Sequence, residues 1–259
     1  MLKKIWVILL VLIAVSVRAQ DRSTSVGAKK TEDQKRAEDF AKLQQYFENL
    51  LHTDWAWISK YENANKELLP PAPGENRVVF IGNSITENWY NTDTRFFQGN
   101  HYIGRGIGGQ VSAQMLVRFR EDVINLKPVA VVINAGTNDI AENRGPITIE
   151  NIFGNIVSMV ELSKANKIIP IVASVLPASD FPWHHDLSPA PKIMRLNAML
   201  KAYCQKNNLV YIDYWSAMVN SENGLRPELT TDGFVHPNMK GYKIMEPLAE
   251  AAINNALKH

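Results

Sequence analysis

Apolar positions along this chain fall into two rhythms. Short, mostly apolar runs stand at Val78–Ile81, Val129–Asn134, Ile168–Val175 and Leu209–Ile212, with a briefer one at Tyr102 and Ile103. Runs this short and rich in β-branched residues predict strands buried on both faces. Between them the apolar residues recur every three or four positions. Examples are Met115, Leu116, Phe119 and Val123; Ile149, Ile152, Phe153, Ile156 and Val160; Ile193, Leu196, Leu200 and Tyr203; and Tyr242, Met245, Leu248, Ala252 and Ile253. That spacing predicts amphipathic helices. Strand and helix alternate, which calls for a parallel sheet covered on both sides. The expected fold class is therefore α/β: a three-layer α/β/α sandwich around a five-stranded parallel sheet. In such a sheet ligands bind at the carboxyl ends of the strands.

The first residues follow a different pattern. Lys3 and Lys4 precede an apolar run from Ile5 to Val17, and the small Ala19 follows. This is the signature of a signal peptide over 1–19, and it predicts export to the periplasm or beyond the cell. The run is too short for a comfortable membrane span, so no integral membrane segment is expected. No Cys follows the cleavage site, which argues against lipid attachment there. Residues 20–73 read as a polar lead-in and an amphipathic helix. That helix opens on a Thr31/Gln34 capping box, carries Phe40, Leu43, Phe47, Leu50 and Leu51 on one stripe, and runs to about Tyr61. Pro70, Pro71 and Pro73 close it, and 74–259 form the main domain.

Composition narrows the function. Without Lys3, Lys4 and Arg18, the 28 basic residues become 25, against 26 acidic ones. A near-neutral surface lacks the basic footprint of a nucleic-acid-binding protein. The single Cys204 has no partner for an internal disulfide, so stability outside the cytoplasm must come from the core. With 46% hydrophobic residues, a chain of this length can build one.

The chemistry-bearing residues gather where strands end. Ser84 follows the first strand through Gly82 and Asn83, beside helix-start N–H groups suited to negative charge. The glycine-rich stretch Gly104–Gln110 lets backbone approach a ligand closely. Asn138, in Gly136-Thr137-Asn138-Asp139, follows the third strand and can donate its amide hydrogen to a developing oxyanion. Asp232 and His236 stand just before the last helix, as orienting an imidazole requires. Taken singly, each has a simpler reading as a cap, a turn or a surface residue. All of them falling at one sheet edge is harder to explain that way.

In these blocks the chain resembles the SGNH hydrolases, also called the GDSL esterase/lipase family, and most nearly their platelet-activating-factor acetylhydrolase-like branch. The matching blocks are Ile81–Thr86, Gly106–Gly109, Gly136–Asp139 and Asp232 with His236–Asn238. The resemblance implies a flavodoxin-like sheet, with Ser84 as nucleophile, His236 as base and Asp232 as the group orienting it. It implies an oxyanion hole made by the N–H groups of Ser84 and Gly109 and the side chain of Asn138. Asn83 stands where the family usually has Asp, Gly104 where relatives often have Asn, and Gln110 where many have Asp. Asp232 and His236 are four apart rather than three, so the chain must fold back between them, and Gly233 offers the turn.

The implied activity is hydrolysis of short acyl esters, acetyl first, on carbohydrates. A lipid ester or lysophospholipid is the alternative substrate, and a non-catalytic sugar-binding protein the alternative class. Trp89 and Trp183 are candidate platforms for a sugar ring, and the loop Leu176–Lys192 a candidate wall of the site. Gly104-x-Gly106-x-x-Gly109 matches a dinucleotide fingerprint, but it follows the second strand and lacks the acidic residue that should close the next one. His184, His185 and Asp186 lack a third metal ligand at a suitable spacing. No cofactor and no metal are expected, and the partner expected is a small-molecule or glycan ester. A homo-oligomer is compatible with the sequence.

Overall fold

The computed structural model describes residues 31–258. The signal-peptide reading and the polar lead-in before Thr31 lie outside those residues. The chain forms two compact units, one ending at Trp55 and the other starting at Ala56. Helix α1 (Glu32–Thr53) belongs to the first, and both bonds of the Thr31/Gln34 capping box are present. It stops at Thr53 rather than near Tyr61. Asp54 leaves helical geometry, Trp57 takes a left-handed backbone (φ 50°), and a 3₁₀ turn (Ile58–Tyr61) leads into α2 (Glu62–Glu67).

The second unit alternates strand and helix. Strand β1 (Val78–Gly82) is followed by α3 (Ser84–Thr92) and α4 (Thr94–Gly99), and β2 (Tyr102–Gly106) by α5 (Ser112–Asp122). Strand β3 (Ala130–Asn134) leads to α6 (Thr137–Ile140) and α7 (Ile149–Ala165). Then come β4 (Ile169–Ala173), α8 (Pro189–Lys206), β5 (Val210–Ile212), α9 (Tyr214–Met218) and α10 (Met239–Ala256). The five strands are all parallel, in the order β2-β1-β3-β4-β5. This is a flavodoxin-like order, and its direction reverses between β1 and β3.

Period-two alternation sorts the strand residues between two cores. Val79, Ile81, Val131, Ile133 and Val172 face α5, α7 and α8, meeting Phe119, Ile156 and Leu200 among others. Val78, Phe80, Val132, Ile171 and Ile212 face the other way, toward Trp89, Phe97, Tyr214, Tyr242 and Met245. Sheet and helices thus make the three layers expected. Cys204 on α8 is wholly buried in the first core, and burial pushes its thiol up to about 11.

Register brings the strand ends level, with Gly82 facing Gly106 on one side and Asn134 on the other. The start of α3 lies directly on this row. A Cβ on Gly106 would fall 2.1 Å from the Glu87 backbone nitrogen, so a side chain there would push α3 off the sheet. Glycine is what allows the Ser84 turn to sit so low on the strand ends.

Candidate active site

Ser84 is the first residue of α3, so its N–H has no acceptor within the helix. Asn83 caps the helix, its side-chain oxygen accepting from the Ile85 N–H at 2.9 Å. The cap needs a short acceptor side chain, which Asn supplies as well as the Asp usual in relatives.

Ser84 Oγ lies 2.9 Å from His236 Nε2, though 152 residues separate the two in sequence. On the far side of the ring, His236 Nδ1 meets Asp232 Oδ2. The four-residue spacing closes because the chain turns tightly about the Asp232 carboxylate. Its Oδ1 accepts from the N–H groups of Phe234, Val235 and His236 at 2.8, 3.0 and 3.2 Å, and from Thr230 Oγ1 at 2.8 Å. Gly233, at φ 81°, takes the left-handed turn. Burial works against the charged carboxylate. The bonds from His236, the Phe234 N–H and Thr230 outweigh it and hold Asp232 well below the usual carboxylate range.

The glycine loop runs beside Ser84. A Cβ on Gly108 would stand 3.8 Å from that of Ser84. Of the four amides at 107–110, three are already engaged. Ile107 N–H donates to Gly82 O, Gly108 N–H to Glu87 Oε2 at 2.7 Å, and Gln110 N–H to Ile107 O. The Gly109 N–H has no acceptor among the described residues, and Gly109 adopts φ 73°. Glu87 also pairs with Lys60 at 2.8 Å, and Lys60 rests over the Trp57 ring.

Asn138, 5% exposed, donates from Nδ2 to Gln110 O at 2.9 Å, which puts its amide against the same loop. Beneath lies a buried polar framework. Arg118 donates to Gly82 O, to Gln110 Oε1 and to Asp122, while Gln110 Nε2 reaches Ala56 O. Asp139, next to Asn138, accepts from the Ser112 N–H and hydroxyl at the start of α5. Burial raises its carboxyl above the usual range, against the pull of the Ser112 bonds.

The structure thus brings Ser84, His236, Asp232, Gly109 and Asn138 to the carboxyl ends of β1 and β3, at the point where the strand order reverses. It does not bring Trp89 there. Trp89 is 2% exposed and stacks between Phe96 and Tyr242 in the core, so no sugar can lie on it. Trp183 is half-buried, stacked on Phe181 at 28°, and donates from its indole to Asn143 Oδ1 at 3.0 Å. Glu87, Lys60 and Asn143 were not among the residues the sequence singled out. Glu87 had a readable signal: it follows Ser84 by three on a helix, hence on the same face.

Residues 80–244 match the model of the GDSL-like lipase/acylhydrolase family, and the chain belongs to that family of SGNH ester hydrolases. It is similar to the crystal structure of a candidate acylhydrolase from Bacteroides fragilis, with 57% identity and a TM-score of 0.77, over 79% of this chain and 99% of that one. An acetylxylan esterase from Geobacillus stearothermophilus shares the fold at 18% identity and a TM-score of 0.55, over 72% of this chain and 96% of that one. Among curated proteins, an uncharacterized lipoprotein of Bacillus subtilis is 30% identical over 105 residues, 39% of this chain. The match spans 43% of that lipoprotein's length. Among the described residues, no helix is long and apolar enough to cross a membrane.

Proposed function

We propose that this protein is an exported serine esterase that removes short acyl groups, acetyl first, from carbohydrates. The observation that carries the reading is the 2.9 Å contact between Ser84 Oγ and His236 Nε2, with Asp232 on the other ring nitrogen. In the reaction, Ser84 Oγ attacks the ester carbonyl carbon as its proton passes to His236 Nε2. Asp232 holds Nδ1–H and so keeps Nε2 free to act as base. The tetrahedral oxyanion lies among the Ser84 N–H, the Gly109 N–H and Asn138 Nδ2, each donor worth about 2.7–4 kcal/mol. Collapse breaks the bond to the alcohol, which leaves with the proton from His236. Water, deprotonated by the same imidazole, then releases the acid and restores Ser84.

Preference for acetyl on a carbohydrate is supported by the acetylxylan esterase that shares the fold, and export by the Lys3-Lys4 pair with the apolar run that follows it and by the lipoprotein relative. Ser84→Ala should abolish hydrolysis of p-nitrophenyl acetate and labelling by an organophosphonate while the circular dichroism spectrum stays unchanged. Near-wild-type hydrolysis by that variant would reject the nucleophile. Acetate should be cleaved faster than butyrate and octanoate, and acetylated glycans should release acetate; a preference for octanoate would favour a lipid ester.

A further inference from the structure

An asparagine in an oxyanion hole raises a problem of polarity. Its carboxamide is nearly symmetric in shape, so packing cannot decide which end faces the ligand. Turned by half a revolution, Asn138 would present oxygen to the oxyanion and repel it. Only hydrogen-bond partners of unambiguous sign can choose the orientation. Asn138 meets one of them directly, the Gln110 carbonyl, which can only accept. Its other atom, Oδ1, accepts at 3.0 Å from Asn143 Nδ2. Asn143 is itself an amide that can turn, so it cannot settle the matter alone.

The chain of partners ends at Trp183. Its indole N–H donates to Asn143 Oδ1 at 3.0 Å, and an indole nitrogen only donates. Asn143 must therefore show oxygen to Trp183 and nitrogen to Asn138. Asn138 in turn must show oxygen to Asn143, which leaves Nδ2 toward the Gln110 carbonyl and the hole. A backbone bond from Asn143 N–H to Asn138 O, at 3.0 Å, holds the two residues in step. The ring is fixed by its stack on Phe181, which is wholly buried.

We propose that Trp183 and Asn143 are positioning residues that, from the side opposite the Gln110 carbonyl, hold the polarity of the Asn138 amide, so that the 176–192 loop helps to assemble the oxyanion hole. The proposal rests on the esterase reading and deepens it. Trp183 then acts on the rate of acyl transfer and not on substrate binding, in contrast with a sugar platform.

A double-mutant cycle on p-nitrophenyl acetate tests this. Trp183→Phe keeps the stack and removes only the donor; kcat should fall about tenfold with KM within about twofold, as expected when a transition-state interaction alone is weakened. Asn143→Asp keeps the acceptor for the indole but replaces the donor facing Asn138 with an oxygen. Its kcat should fall about 100-fold, close to the loss in Asn138→Ala. In the Asn138→Ala background, Trp183→Phe should change kcat by less than about twofold. If instead the Trp183→Phe loss is as large in that background, or appears in KM, the relay is wrong. Ser84→Ala separates the two levels: if it is inactive while the other losses are additive, the relay alone falls. Full activity in Ser84→Ala would remove the serine-nucleophile reading and the relay together.

Discussion

Arg118→Met tests the framework under the site. Arg118 and Asp122 are both fully buried and paired at 2.9 Å. The guanidinium also satisfies Gly82 O at 2.9 Å and Gln110 Oε1 at 2.6 Å. Met fills comparable volume, so little of the cost comes from a cavity. What remains is a carboxylate deep in the protein that keeps, among the described residues, the Asn65 amide alone, together with a Gln110 Oε1 that has lost its donor, while Gly82 O keeps the Ile107 N–H. Removing one partner of such a pair costs about 3–5 kcal/mol. At roughly 2–4 °C per kcal/mol for a domain of this size, the melting temperature should drop by about 6–20 °C. Urea unfolding followed by tryptophan fluorescence measures the difference, with the slope confirming a single transition. Adding Asp122→Leu removes the stranded charge and should recover at least about half of the loss. A cost below about 1 kcal/mol for the single change, or no recovery in the double, would refute the reasoning.

Two further outcomes follow from groups near Ser84. Glu87→Ala frees the Gly108 N–H and Lys60; steady-state kinetics should show kcat about tenfold lower, and an unchanged kcat would mean the glycine loop needs no tether. Asp232 has a folded value below its unfolded one, so its stabilising effect is complete above about pH 4 and disappears as pH falls through the folded value. Urea midpoints should therefore separate wild type from Asp232→Asn at pH 7 and converge toward pH 2, and a gap that widened in acid would contradict this sign.

The sheet was readable because most of its strands are short apolar runs, β2 with Arg105 between glycines being the exception, and long helices such as α7, α8 and α10 because their stripes repeat over several turns. Helices α4, α6 and α9, of four to six residues, are too short to show a period. The overlong α1 arose because Trp55 and Trp57 continue its apolar stripe while Asp54 ends it. Around Ser84, helical geometry separates what sequence proximity confused. Trp89 lies five residues on, about 140° round the helix and thus toward the core, whereas Glu87 at three residues stays on the Ser84 side. The blocks containing Ser84, Asn138 and His236 could be placed at one edge because each ends a strand or opens a helix. The link from Trp183 to Asn143 spans 40 residues between two loops, and no local pattern records such a contact.

Cys204 has a practical consequence. A thiol sealed between α8 and the sheet, and kept protonated by that enclosure, neither exchanges with oxidants nor couples to neighbouring molecules while α8 stays seated. Any reagent that modifies it has timed the undocking of α8, the helix that follows the loop bearing Trp183. The rate of that modification would thus report, in an otherwise unlabelled protein, how firmly the scaffold behind the site is closed.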